Sequence, residues 1–243
     1  MLETKGLTKE FDGFRAVDNL NFYLEKGELH CIIGPNGSGK TTFFSLISGF
    51  LKPTNGDIIF NNEKITNLMP HQIAQRGIIR KFQVPNVYNF FTLHENLKIP
   101  SQIKLEGKIL LFTRSSIKVG KKIDEILEII QLKDKKKEVA GELSHGEMQW
   151  LEIGMTLAME PSLLLLDEPT AGMTRDETKK TAEIIRGISN VTTIIIIEHD
   201  IQFIREVSRK ITVMHNGSIL TEGPLEQIEN DERVRNVYLG KEK

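Results

Sequence analysis

The stretch Gly34-Pro35-Asn36-Gly37-Ser38-Gly39-Lys40-Thr41 fits the pattern G-x-x-x-x-G-K-[ST] without a gap. A loop of this kind handles phosphate. Its glycines let backbone N–H groups curl around anionic oxygens, where a Cβ would block the approach. Lys40 can reach β- and γ-phosphates, and Thr41, followed by Thr42, can place its hydroxyl on Mg2+. Further along, Asp167 can hold Mg2+ directly or through water. Glu168, next to it, can orient or deprotonate a water that attacks a γ-phosphate. His199 could hydrogen-bond the γ-phosphate region and link it to Glu168. Gln83 could contact Mg2+ or the attacking water. Taken singly, each has a plainer reading: a strand-end acidic pair capping a helix, a structural histidine, an ordinary loop glutamine.

A phosphate loop works only when it is held between a strand and a helix. Here the apolar run Leu29–Ile33 precedes it, and Phe43, Leu46, Ile47 and Phe50 follow at helical spacing, closing near Gly49. The other candidates stand in similar places. Residues 163–166 form an apolar run that ends in Asp167-Glu168-Pro169, residues 192–197 one that ends in Glu198-His199-Asp200, and residues 78–82 one that leads into Gln83. Ile123, Ile126, Leu127 and Ile130 mark one amphipathic helix, and Thr181, Ile184, Ile185 and Ile188 another. Buried strands alternating with helices predict an α/β fold, with a mainly parallel sheet covered by helices on both faces. Ligands of such folds sit at the carboxyl ends of the strands. Lys40, Asp167, Glu168 and His199 all fall just past such ends, and this convergence outweighs the plainer readings.

The rest of the chain frames this core. Residues 2–9 and 16–24, with Asp12-Gly13 between them, predict two strands of an antiparallel edge layer. Phe11, at the end of the first, fits either a core phenylalanine or an aromatic on which a base could stack. Thr54-Asn55-Gly56 reads as a turn before a strand at 57–60. Residues 70–76 predict a short helix with Pro70 in its first turn. Residues 84–100 read as aromatic and irregular, with Pro85-Asn86 as a break. Val87, Tyr88, Phe90 and Phe91 there form a hydrophobic seam or a partner surface. Residues 101–120 carry little signal, and Lys104, Lys108, Arg114 and Lys118 fit a solvated face. Residues 133–138 read as a charged loop. Ser144 opens a helix to about residue 159, and Ser144 with Glu147 has the S-x-x-E spacing of a capping box. Residues 211–214, Asn216-Gly217 and residues 218–221 predict a last strand and hairpin, followed by a helical, amphipathic tail at 224–238.

Bulk properties exclude several classes. The 243 residues carry 27% charged side chains and a net charge of −1, so there is no electrostatic footprint for nucleic acid. Cys31 is the sole cysteine, which rules out an intramolecular disulfide and a cysteine metal cluster. Its place before the phosphate loop predicts a small buried hydrophobe. No apolar run approaches the ~18 residues of a spanning helix, and Met1-Leu2-Glu3-Thr4-Lys5 is not a signal peptide. A cytoplasmic protein is expected, with any membrane role depending on a partner chain.

Over nearly its whole length the sequence resembles the ATP-binding subunits of ABC transporters. The phosphate loop stands for their Walker A motif, Arg80-Lys81-Phe82-Gln83 for the Q-loop, and residues 163–167 with Glu168 for Walker B. Leu143-Ser144-His145-Gly146-Glu147 stands where the family has its LSGGQ signature, His199 is the switch histidine, and Phe11 matches the aromatic that stacks on adenine. Ala171-Gly172-Met173 and Tyr238-Leu239-Gly240 look like the branched-chain amino-acid and urea importers. Residues 143–155 look most like a urea importer subunit. Three positions depart from the pattern: His145 replaces a glycine, Glu147 a glutamine, and Thr174 the D-loop aspartate of many relatives.

The resemblance implies a P-loop NTPase core of ABC ATPase type, with an antiparallel β edge layer and a helical subdomain. The whole chain, 1–243, would be one such domain, the subdomain inserted at approximately 85–160. It implies ATP and Mg2+ as ligands. Phe11, Gly34, Pro35, Asn36, Gly37, Ser38, Gly39, Lys40, Thr41, Thr42, Ser144, Gly146 and Glu147 would meet nucleotide. Thr41, Gln83 and Asp167 would meet the metal, and Glu168, His199 and Gln83 would serve catalysis. The implied function is the ATP-hydrolysing motor of a bacterial importer, for urea or branched-chain amino acids, on the cytoplasmic face of the inner membrane. Implied partners are integral-membrane permeases, a second ATP-binding subunit (the same chain or another), and indirectly a periplasmic solute-binding protein. The alternatives are a soluble ABC ATPase that remodels a macromolecular assembly and the ATPase of a lipid or lipopolysaccharide exporter.

Overall fold

The computed structural model describes residues 1–81, 87–103 and 112–239, with the side chains of residues 103, 112–118 and 239 left out. In chain order the elements begin with β1 (Leu2–Phe11), β2 (Phe14–Leu24), β3 (Leu29–Ile33) and α1 (Lys40–Ile47). Next come β4 (Asn55–Phe60), β5 (Glu63–Lys64), α2 (Pro70–Gln75) and β6 (Ile78–Lys81). Three helices follow, α3 (Leu93–Ile103), α4 (Phe112–Ile129) and α5 (His145–Ala158). The chain then runs through β7 (Leu163–Asp167), α6 (Arg175–Ser189), β8 (Thr193–Ile197) and α7 (Ile201–Val207). It ends with β9 (Lys210–His215), β10 (Ser218–Gly223), α8 (Leu225–Asn230) and α9 (Glu232–Leu239).

The larger sheet has the order β10-β9-β3-β8-β7-β6, parallel from β9 to β6, with β10 returning antiparallel to β9. Every residue of β3, β7 and β8 is buried. That is why these strands read as continuous apolar runs, since a parallel sheet is covered on both faces. Alternate residues supply two cores. Ile32, Leu163, Leu165, Ile195 and Ile197 face α1 and the antiparallel layer β2-β1-β4-β5. Ile33, Leu164, Leu166, Ile194 and Ile196 face the opposite way, onto residues of α3 to α7. The predicted antiparallel edge thus becomes a four-stranded layer packed on one face of the main sheet. Cys31 is fully buried in the second core, and burial pushes its thiol up to about 12.

Several local expectations need correction. The predicted turn at 54–56 is partly strand, because β4 starts at Asn55. Gly56 makes this possible at φ +87, since a Cβ there would lie 2.3 Å from the Gly6 carbonyl of the neighbouring strand. The stretch read as irregular contains α3, with Pro100 inside it. Thr92 and Glu95 cap that helix reciprocally: Thr92 N–H donates to Glu95 Oε2 at 2.8 Å, and Glu95 N–H to Thr92 Oγ1 at 3.2 Å. Leu93 and Leu97 anchor it in the core. The low-signal region contains the start of α4, and the charged loop at 133–138 contains a 3-10 turn, Lys133–Lys135. Phe50 lies beyond the end of α1 and is exposed. The tail is two helices rather than one, broken where Asp231 accepts from Arg233 N–H at 2.9 Å. Phe82, Gln83, Val84, Pro85, Asn86, Lys104, Lys108 and Gly240 lie outside the described residues, as do the side chains of Arg114, Lys118 and Leu239.

Candidate functional site: a phosphate cradle beside two carboxylate strand tips

The phosphate loop leaves the end of β3 and enters α1 through Gly39, which adopts φ +101 as the N-cap. A Cβ at Gly39 would sit 2.3 Å from the Ala16 carbonyl, and one at Gly34 2.3 Å from the Met214 carbonyl. The backbones of β2 and β9 therefore leave no room for a side chain at either position. The N-terminus of α1 has no side-chain cap and no acidic residue in its first turn. Its donors remain open to an anion. The hydroxyl of Ser38 is buried in the loop and has no hydrogen-bond partner among the described residues. Lys40 Nζ donates to the carbonyls of Gly34, at 2.7 Å, and Pro35, at 3.0 Å. Burial lowers the Lys40 ammonium from its ordinary range, while the Glu168 and Asp167 carboxylates act the other way.

Asp167 ends β7 opposite Ile197 of β8, so the tips of the two strands lie side by side. Its carboxylate receives Arg80 from β6, with the guanidinium Nη2 2.8 Å from Asp167 Oδ2. The same guanidinium donates to Ser45 Oγ of α1 at 3.0 Å. Burial pushes the Asp167 carboxyl above the usual range, opposed by Arg80 and Lys40 and reinforced by Glu168. Glu168 stands at φ +46, a sparsely populated conformation for a non-glycine residue. Its N–H donates to the Ile197 carbonyl at 2.9 Å. His199 is 68% exposed, with Nδ1 3.7 Å from Glu168 Oε1 and 3.8 Å from Glu198 Oε2. These are charge-range distances, too long for hydrogen bonds.

Lys40, Asp167, Glu168 and His199 thus meet at one end of the sheet, as their strand-end positions predict. Thr41 and Thr42 lie in the first turn of α1. Phe11 is 42% exposed at the end of β1, with Lys9 Nζ 4.9 Å from its ring centre, so it is not a core phenylalanine. Gln83 lies outside the described residues.

The helix of Ser144 forms a separate cluster. Ser144 caps α5: Glu147 N–H donates to Ser144 Oγ at 3.3 Å, and Ser144 N–H donates to Glu147 Oε2 at 3.1 Å. Lys135 holds the same carboxylate, at 3.0 Å from Oε1. His145 Nε2 lies 3.1 Å from the Ala171 carbonyl, and Thr174 caps α6 through a second reciprocal pair with Glu177. Among the described residues no hydrogen bond or ion pair joins Ser144, Gly146 or Glu147 to the phosphate loop.

Arg80 and Lys81 stand in the Q-loop stretch and Glu198 before the switch histidine, but no sequence pattern assigns a role to them, or to Ser45, Gln149 and Glu152. Lys81 Nζ lies 2.9 Å from Glu152 Oε2 and donates to Gln149 Oε1, tying β6 to α5. Buried charges on strand and helix faces were the available signal, since Lys and Glu are rarely enclosed unless paired.

The described residues contain no group of three or more His, Cys, Asp or Glu side chains arranged to hold a metal. Mg2+ is commonly held by one or two carboxylates together with substrate phosphates. The hydroxyl of Thr41 and the carboxylate of Asp167 are the hard oxygen donors present, and the orphaned Ser38 hydroxyl and the glycine-lined loop fit an anion.

A glycine-lined loop opening a helix, beside a carboxylate pair and a histidine at adjacent strand tips, has the parts of a nucleotide hydrolase. The profile described as "ABC transporter" matches residues 17–171, and the chain belongs to that family, as an ATP-binding subunit with the ATPase activity characteristic of it. It is 36% identical to the high-affinity branched-chain amino acid transport ATP-binding protein LivG of Escherichia coli (strain K12), over 99% of this chain and 98% of the relative. It is 35% identical to BraF of Pseudomonas aeruginosa, a protein of the same description, with the same coverage. A solved ATP-binding cassette of an ABC transporter, in its ADP conformation, superposes with a TM-score of 0.85 at 33% identity over 99% of both chains. The chain is an ATP-binding motor of ABC transporters, close to the branched-chain amino-acid importer ATPases.

Proposed function

We propose that this chain drives a bacterial importer for branched-chain amino acids or urea. The names of the relatives favour branched-chain amino acids, and the resemblance of residues 143–155 favours urea. The observation that carries the catalytic reading is the meeting of Lys40, Asp167, Glu168 and His199 beside an open helix N-terminus. Adenine stacks on the exposed Phe11 ring. Backbone N–H groups of residues 36–42 wrap the phosphates, and Lys40 exchanges the Gly34 and Pro35 carbonyls for β- and γ-oxygens. Thr41 and Asp167, with Gln83, would hold Mg2+, which would neutralise phosphate charge when bound. Glu168 accepts a proton from water as its oxygen attacks the γ-phosphorus and the bond to the β–γ bridging oxygen breaks. His199 holds the γ-phosphate and orients Glu168.

A second ATP-binding subunit, identical or not, supplies the N-terminus of its signature helix to the γ-phosphate through Ser144 and Gly146. Glu147, turned back onto Ser144 and Lys135, stays clear of the charge. The chain acts as one ABC ATPase domain in which the helices within residues 85–160 form the subdomain. The stacked and exposed Tyr88 and Phe91, with Phe90 at 93% exposure, support the reading that this stretch receives an integral-membrane permease. No helix among the described residues is long and apolar enough to cross a membrane. We place the chain peripherally, on the cytoplasmic face, in line with the transport role named for its relatives, with a periplasmic binding protein as an indirect partner.

The test is Glu168→Gln. Loss of the general base slows hydrolysis about 10²- to 10⁴-fold, while ATP binding persists and size-exclusion chromatography with ATP shows more dimer. Normal hydrolysis by this variant overturns the assignment. Uptake of labelled leucine or urea by vesicles holding the assembled transporter then separates the two solutes.

A further inference from the structure

Glu198 takes no part in the chemistry above, yet it touches both loops that do. The residue is 1% exposed, at the end of β8. Its Oε1 accepts from the N–H of Thr170 at 3.1 Å and from the Thr170 hydroxyl. Its Oε2 accepts from the N–H of His199 at 2.9 Å, with the N–H of Asp200 at 3.5 Å. One buried carboxylate therefore spans the segment that follows Glu168 and the segment that presents His199. We propose that Glu198 is a positioning residue for hydrolysis: its carboxylate clamps these two loops and fixes the approach of Glu168 to His199. The inference rests on the roles of Glu168 and His199 given above.

Three arguments support the clamp. A carboxylate this deeply enclosed requires compensating donors, and those present come from the two catalytic loops. Hydrogen bonds to an ionised acceptor are roughly twice as strong as neutral ones, which suits a fixed geometry. Glu168 also stands in a sparsely populated backbone conformation, which persists only where surrounding structure over-determines it. The loop is held on one side by Glu168 N–H to the Ile197 carbonyl and by Ala171 N–H to the Glu168 carbonyl. Thr170, fastened to Glu198 by two donors, completes the restraint. A glutamine at 198 keeps the shape but turns an NH2 group toward one of the backbone N–H groups, so one arm of the clamp opens.

The test uses the full-length chain with Glu198→Gln, Thr170→Val and Thr170→Ser, and Glu168→Gln measured alongside. Glu198→Gln should lower kcat about 10- to 100-fold, the scale of a small misplacement at a reacting centre, with KM for ATP within about twofold. Thr170→Val should lower kcat less, and Thr170→Ser should restore it. In 15N-labelled protein, Glu198→Gln should move the amide resonances of Thr170 and His199 upfield, leaving those of Gly37 and Gly39 in place. Unmoved Thr170 and His199 amides, or an unchanged kcat, overturn the proposal. A parallel loss of kcat and nucleotide binding makes Glu198 merely structural and also overturns it. Normal hydrolysis by Glu168→Gln would instead overturn the reading of the site, while the amide shifts would still report whether Glu198 holds both loops.

Discussion

Two helix N-termini, which the proposed function assigns to the same kind of ligand, are built in opposite ways. The start of α1 is capped by a glycine, has no acidic residue in its first turn and leaves its donors open. The start of α5 is closed by its own side chains: Ser144 and Glu147 cap each other, and Lys135 neutralises the carboxylate. An open N-terminus is an anion site in waiting. A closed one is already satisfied, and an anion there must compete with groups in place. The first therefore suits tight binding of nucleotide by a single chain. The second suits a contact that forms only when another subunit brings its nucleotide up, and that is released readily afterwards.

The strongest blow to the open terminus is Lys40→Ala. It should reduce phosphate release by more than about 100-fold, since it removes a charge aimed at the transferring group; near-normal release would show that the loop is not the cradle. Phe11→Ala sharpens the comparison by probing the other end of the nucleotide. Loss of a base–aromatic stack costs about 1–3 kcal/mol, so KM for ATP should rise with kcat little changed, and an unchanged KM removes Phe11 from the site. At the closed terminus, Ser144→Ala should cost about 1 kcal/mol of stability, read as a lower Tm, and weaken ATP-dependent dimerisation. A lower Tm with unchanged dimerisation would make the cap purely structural.

Glu147→Gln should do least. Burial would raise the Glu147 carboxyl, but Lys135 and the Ser144 N–H prevail and hold it below its ordinary range. A depressed carboxyl contributes stability above its unfolded pKa, ~4.3 for a glutamate, and loses it as pH falls through the folded value. Wild type should thus exceed Glu147→Gln by about 0.5–1 kcal/mol at neutral pH, the scale of a partly exposed ion pair. The gap should close on acidification below that range. Urea unfolding of both proteins from pH 7 to pH 3 measures it, and hydrolysis at pH 7 should differ little. A large loss of hydrolysis would place Glu147 on the phosphate.

The same contrast explains what could be read in the sequence. The phosphate loop, the strand tips at Asp167 and Glu198-His199, and the capping box of α5 are local patterns, set by contiguous residues and by the period of a buried strand. The Arg80–Asp167 pair is not local: it exists because β6 lies beside β7 in the sheet, although three helices separate them along the chain. Glu198 and Thr170 meet for a similar reason, across β7 and β8. No periodicity encodes sheet order, so these partners were invisible. Helix α3 was hidden differently. The break at Pro85-Asn86 and the aromatics that follow argued against a helix, while Thr92-x-x-Glu95, a capping box of the same form as that of α5, was there to be read.

The buried pair between Lys81 and Glu152 bears on how this protein can change over generations. Removing one partner of a buried ion pair costs about 3–5 kcal/mol, a large share of the ~5–15 kcal/mol that keeps a domain folded. Replacing both partners with apolar residues that fill the same space is often neutral. A lineage can therefore leave the ionic state readily only by changing a strand position and a helix position together. Lys81 and Glu152, 71 positions apart, thus constrain each other's substitution.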